Sequence, residues 1–203
     1  SALLNGDQET GVSIVRMAKK VDTGEILAQK KIPIPKDMMY PWLEQECSTI
    51  GAGLLLETLD RYGRITPTPQ DAQQASVCKK FSKEDGRIFW KKETAEQIFN
   101  KYRAFDPWPG VFTLYQEKIL KLVDIGFLQL DSDVQPGFVF QKTLPKIEAV
   151  FLMAEAVKEQ EPLVCVKAIK GAVVLFTVQQ EGKKKMDVWE FVRGHKDFIG
   201  TML

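Results

Sequence analysis

The sequence predicts an α/β segment followed by a small antiparallel β-barrel. Three observations carry that prediction. Two β-rich runs and a helical repeat crowd residues 1–64, a proline-studded polar stretch follows them, and short β-type runs separated by turn residues fill the chain from Val111 onward.

In the first run, residues 11–17, Val12 and Ile14 alternate with Ser13, Val15 and Met17, the period-two pattern of a strand. The polar stretch Lys19-Lys20-Val21-Asp22-Thr23-Gly24-Glu25 reads as a connecting loop before a second β-rich run at 26–34, which Pro33 and Pro35 end. Beyond Pro41, Leu43, Ile50, Leu54, Leu55 and Leu59 recur at helical spacing, and Arg61 and Tyr62-Gly63 supply the stop.

The alternating prolines of Thr66-Pro67-Thr68-Pro69-Gln70, followed by polar residues, have linker composition. The expected organisation is therefore a first domain at 1–64, a linker at 65–79 and a second domain at 80–203. In the latter, Ile98, Tyr102 and Phe105 predict a helix over 94–105 with Thr94 as its N-cap, stopped by Pro107 and Pro109. Trp108, between those prolines, is expected to pack between elements. Strands are expected at 111–115, 119–125, 137–140, 163–168 and 172–178, and helices at 144–158 and at 186–191, the last capped by Asp187.

Composition narrows the classes. At 203 residues, 44% hydrophobic and 27% charged, the chain falls in the globular range. Twenty-eight basic against 27 acidic side chains leave +1, so affinity for a polyanion or an anionic membrane has to come from local patches. Cys47, Cys78 and Cys165 are odd in number and form no CxxC, and His195 is the lone histidine, which argues against a disulfide framework or a metal site. The cysteines read as small apolar fillers. No apolar run approaches the ~18 residues of a membrane span, and no signal peptide opens the chain, so a cytoplasmic setting and no membrane partner are expected. A first residue of Ser, with a strand pattern close behind it, suggests a fragment.

Three ordered segments together resemble methionyl-tRNA formyltransferases. They are Asn5-Gly6-Asp7-Gln8-Glu9-Thr10-Gly11-Val12-Ser13-Ile14 followed by Val21-Asp22-Thr23-Gly24-Glu25-Ile26-Leu27; then Phe81-Ser82-Lys83-Glu84-Asp85-Gly86-Arg87-Ile88-Phe89-Trp90 with Arg103-Ala104-Phe105-Asp106-Pro107-Trp108-Pro109-Gly110; and last Glu181-Gly182-Lys183-Lys184-Lys185-Met186 with the tail from Phe191. The resemblance implies the end of a Rossmann-like formyltransferase catalytic domain followed by a barrel of oligonucleotide-binding (OB) type. It also implies transfer of a formyl group from formyl-tetrahydrofolate, as co-substrate, to the amino group of methionyl-initiator-tRNA, by a parent enzyme that is monomeric and needs no metal.

Of the family's catalytic Asn, His and Asp, the resemblance places only the Asp on this chain, at Asp22. The other two, and the main folate pocket, are expected before Ser1, so the chain alone should be inactive. Two departures stand out: Phe89 occupies a position usually polar in the family, and residues 142–162 make a longer connection than usual.

Taken without the resemblance, Asp22-Thr23-Gly24 is an ordinary turn. With it, Asp22 becomes the catalytic candidate, Thr23 and Gly24 shape its loop, Gly24 permits close approach to a ligand, and Glu9, Thr10 and Gly11 support that loop as neighbours. Lys183, Lys184, Lys185, Arg193 and Lys196 are tRNA-binding candidates, with Lys142 and Lys146 weaker ones; the lysine run reads equally as a solvated turn. His195 reads as a surface residue or an RNA contact. Two rival functions fit the same residues: an aminosugar formyltransferase acting on a nucleotide-linked 4-amino sugar, and a non-catalytic RNA-binding remnant.

Overall fold

The computed structural model describes residues 1–130, 133–143 and 162–203. These divide into two compact units, Ser1–Lys80 and Phe81–Leu203. The expected helix at 144–158 and the candidate Lys146 lie outside the described residues.

The first unit opens with a single helical turn, α1 (Ala2–Asn5), and a β-hairpin of β1 (Glu9–Val15) and β2 (Ile26–Pro33). The strands pair antiparallel from Glu9 opposite Pro33 to Val15 opposite Ile26, with one irregularity at Ile14/Val15. Along β1 half-buried Thr10, Val12 and Ile14 alternate with exposed neighbours, as the period of two requires. The first strand begins two residues earlier than expected, so Glu9, Thr10 and Gly11 are strand residues and not a turn before it.

Helix α2 (Tyr40–Asp60) starts where Pro41, with no amide hydrogen to lose, fits the first turn, and it lies against both strands. Its buried side holds Leu43 and Thr58, and a Cβ on Gly51 would sit 3.3 Å from Val12 Cγ1, so the helix approaches the hairpin closely there. The expected apolar stripe is divided: Leu54 is half-buried, whereas Leu55 and Leu59 point to solvent, Leu59 being 58% exposed. The polar segment beyond the helix is not loose throughout. Thr68 and Ile26 exchange both backbone hydrogen bonds, at 2.8 and 2.9 Å, which fastens that segment to the start of β2.

The second unit is built on one antiparallel sheet. Its strands are β3 (Val111–Tyr115), β4 (Lys118–Leu128), β5 (Val139–Lys142), β6 (Leu163–Lys167), β7 (Ala172–Gln180) and β8 (Met186–Asp187), in the order β3-β4-β7-β6-β5 with β8 also on β7. β4 bends through register shifts around Asp124. Among the described residues no sheet closes into a barrel. β3 and β5 are the path's ends: among the described residues β3 is met by a bridge from Arg87 to Phe112, and the 200–203 segment meets β5 through the Phe138–Met202 bridge, with Val139 N–H donating to Thr201 O (3.0 Å) and Gly200 N–H to Val139 O (2.8 Å).

Helix α3 (Ala95–Phe105) begins on a capping box, in which Gln97 N–H donates to Thr94 Oγ1 and Thr94 N–H to Gln97 Oε1, and it buries Ile98, Phe99, Tyr102 and Phe105. The peptide bonds before Pro107 and Pro109 are cis, and Trp108 between them is 62% exposed; the expectation that it packs between elements is corrected. Helix α4 (Val188–Gly194) starts later than expected because Met186 and Asp187 first pair with β7; Asp187 Oδ1 then caps it by accepting from Trp189 N–H and Glu190 N–H.

Buried Phe191, Phe198 and Tyr115 interlock with half-buried His195 at the edge of this unit's core, edge to face and face to face, with ring centroids 4.1–5.8 Å apart. Trp90 Nε1–H donates to Thr113 Oγ1 at 2.9 Å, which satisfies both buried polar atoms. Lys167, only 4% exposed, turns its ammonium onto the carbonyl oxygens of Ala168 (3.0 Å) and Gly171 (3.4 Å) across the β6–β7 turn.

Candidate functional site

The loop between β1 and β2 carries the catalytic candidate. It is closed at its base by Arg16, whose N–H donates to the Glu25 carbonyl and whose guanidinium pairs with the Glu25 carboxylate, each at 2.9 Å. Asp22 has φ +59°, a left-handed conformation that Asp tolerates better than most residues, and its side chain is exposed. Thr23 Oγ1 donates to Lys20 O at 2.9 Å, as a turn-stabilising hydroxyl does.

Gly24 is buried. A Cβ there would lie 1.6 Å from the Arg16 carbonyl oxygen, so the close approach this glycine permits is to the chain's own backbone and not, as expected, to a ligand. The loop's remaining tether was not foreseen. Gln70 Nε2 donates to the carbonyls of Gly24 (2.6 Å) and Asp22 (3.0 Å), and its segment is held in place by the Thr68–Ile26 pairing.

Glu9, Thr10 and Gly11 are not neighbours of this loop. They sit at the far end of β1, about 13 to 20 Å along the strand from Val15. There Glu9 pairs with Lys31 across the hairpin at 2.7 Å, and Gly11 lacks room for a Cβ because Lys30 O would be 2.8 Å from it. Their local reasons are strand pairing and strand approach; the expectation that they adjoin Asp22 is corrected.

The basic candidates all lie in the second unit, on its surface. Lys183, Lys184 and Lys185 are exposed in the β7–β8 turn, which Gly182 opens at φ +73° and Gln179 Nε2 fixes by donating to Lys183 O at 2.8 Å. Arg193 and Lys196 are exposed at the C-terminal end of α4, a helix of about 10 Å rise. Lys142 is half-buried on β5. His195, read from sequence as a surface residue or RNA contact, is instead stacked on Phe191 with Nδ1 3.0 Å from the Phe191 carbonyl.

Burial governs the ionisable groups nearby. It pushes the Tyr115 hydroxyl up to about 12, helped by the hydrogen bond to Asp197 (3.0 Å) and that carboxylate's charge. It raises Tyr102, and it raises Asp124 against the opposing effect of the Tyr102 hydrogen bond. It lifts the Cys165 thiol to about 12, which suits a core filler; Cys47 is half-buried and Cys78 exposed, so the filler reading holds for Cys165 alone. Among the described residues no three His, Cys, Asp or Glu side chains gather to hold a metal ion. No described helix is long and apolar enough to cross a membrane.

Comparison with known proteins defines the class. The family described as "Formyl transferase, C-terminal domain" matches residues 80–196, and "Formyl transferase" matches 1–59. The chain belongs to the formyl transferase family. It is similar along both units to proteins of the type that the three sequence segments resemble. A methionyl-tRNA formyltransferase of Caldicellulosiruptor saccharolyticus is 35% identical over 203 residues, covering 99% of this chain and 60% of its own length. One from Roseiflexus castenholzii is 39% identical over 197 residues, covering 95% of this chain and 56% of its own. The chain thus spans somewhat over half the length of these relatives. Among solved structures, HypX from Aquifex aeolicus in complex with tetrahydrofolic acid superposes with a TM-score of 0.62 at 19% identity, covering 98% of this chain and 32% of that one, a likeness of fold.

Proposed function

We propose that the protein to which this chain belongs moves the formyl group of formyl-tetrahydrofolate onto the amino group of methionyl-initiator-tRNA, in the cytoplasm and as a monomer. In this reading residues 1–64 complete the catalytic domain, 65–79 connect, and 80–203 form a barrel of OB type that holds tRNA. The observation that carries it is the match at 35–39% identity to methionyl-tRNA formyltransferases across both units. The added backbone pairing at both ends of the sheet, Arg87 with Phe112 and Phe138 with Met202, supports the barrel reading.

Attack of the amine on the formyl carbon creates a tetrahedral oxyanion and a nitrogen that must shed a proton. Asp22 cannot serve both needs. It orients an imidazole, or passes the amine's proton through water, as the acid of a triad orients its base. That imidazole is not His195, whose ring is stacked on Phe191. The exposed Asp22 carboxylate on a tethered loop supports such a shared role. The main folate pocket of the whole enzyme lies outside this chain in this reading.

Lys183, Lys184, Lys185, Arg193 and Lys196 contact tRNA phosphates. The test is Asp22→Asn in the whole enzyme. Formyl transfer should fall about 100- to 10,000-fold with tRNA affinity unchanged; normal turnover would reduce Asp22 to a turn residue. The chain of 203 residues by itself should show no transfer.

A further inference from the structure

Phe89 is an anomaly in the second unit. It follows the buried Ile88 and precedes the buried Trp90, yet is 45% exposed. Its backbone is held: the Phe89 N–H donates to Glu93 Oε2 at 2.6 Å, while the other oxygen of that carboxylate pairs with Lys101. Two cations attend the ring, the Arg87 guanidinium 5.5 Å and the Lys92 ammonium 5.6 Å from its centroid. The ring stands in a groove of about 400 Å³ lined also by Lys91, Leu114 and Leu203.

From this arrangement we infer a nucleobase platform: an unpaired base of the bound tRNA stacks on Phe89, and its flanking phosphates are taken by Arg87, Lys91 and Lys92.

The chemistry selects the occupant. A half-exposed aromatic ring offers stacking to any base once the cation over the receiving face moves aside, and three cations within six residues offer what the phosphates need, the combination used by single-strand-binding surfaces. The charge of Glu93 toward the phosphates is offset by its ion pair with Lys101. Lys92 is exposed, and its flexible stem lets the ammonium leave the ring for a phosphate when a base arrives. The Lys183–Lys185 turn reads charge alone; Phe89 adds a contact that salt does not screen.

This inference rests on the tRNA-binding reading above, and one titration separates the two. The full chain is titrated with uncharged initiator tRNA between about 50 and 200 mM salt. Phe89→Ala and Phe89→Leu should each weaken binding about tenfold at every salt concentration without changing the salt slope. Phe89→Trp should bind like the parent, and the emission it adds should be quenched by tRNA. Equal binding by the parent and Phe89→Ala overturns the platform while leaving the tRNA reading intact. Loss in Phe89→Ala but not in Phe89→Leu also overturns it, since simple apolar burial would then suffice. No binding by the parent overturns both. Thermal melting of each variant, expected unchanged for an exposed ring, separates loss of fold from loss of contact.

Discussion

The Gln70 side chain holds Gly24 and Asp22 from 46 and 48 residues away, donating one amide to both carbonyl oxygens. It serves as a peg through the mouth of the catalytic candidate's loop. Its own position is secured two residues earlier, where Thr68 pairs with Ile26.

Gln70→Ala should therefore free the loop without unfolding the hairpin. Losing two hydrogen bonds costs about 1–2 kcal/mol. Amide exchange at residues 18–25 should quicken more than at β1 and β2, and in the whole enzyme the formylation rate should fall while tRNA binding stays constant. Equal exchange in variant and parent would mean that the tether carries no load.

Gly24→Ala should be harsher. A methyl 1.6 Å from the Arg16 carbonyl oxygen cannot be accommodated by side-chain adjustment, because the obstacle is backbone. The loop must shift, at a cost of about 3 kcal/mol. Urea unfolding of the variant checks this; a midpoint equal to that of the parent would contradict the geometry.

Replacing Lys183, Lys184 and Lys185 together by alanine should lower tRNA affinity and flatten its salt dependence by up to about three phosphate contacts. All three are exposed, so the melting temperature should not change. An unaltered salt slope would mark the turn as solvated lysines and nothing more.

The chain should lose stability in alkali. Tyr115 ionises near its ordinary value of 10 in the unfolded chain and only near about 12 when folded. A raised folded value means that the stabilisation is complete below pH 10 and disappears as the pH climbs to about 12, on the order of 2–3 kcal/mol in all. Cys165, moved from 9 to about 12, acts in the same direction from a lower starting pH. Denaturant unfolding from pH 8 upward should show the decline, and Tyr115→Phe should make it shallower between pH 10 and 12, where Cys165 and Tyr102 still contribute.

Much of the local architecture was legible in the chain because the signals are local. Thr94 and Asp187 cap the helices they were expected to cap, since a short polar side chain before an apolar repeat needs no distant partner. The Asp22 loop was legible for the same reason. Gln70 was not: a glutamine among prolines has no periodicity, and its role exists only once β2 and the 66–70 segment have paired. The expected apolar stripe of α2 failed because helical spacing locates a stripe of leucines but not which of them the hairpin covers. His195 was misjudged because its partners Tyr115 and Phe198 come from a strand and a tail that only the fold unites.

Lys167 offers a use beyond explaining the β6–β7 turn. Its ammonium is enclosed by the carbonyls of Ala168 and Gly171, so an acylating reagent that labels surface lysines within minutes should pass it by. Its labelling rate then becomes a clock for the opening of that strand pair. Peptide mapping after timed acetylation could read the clock at one residue, without a probe being introduced.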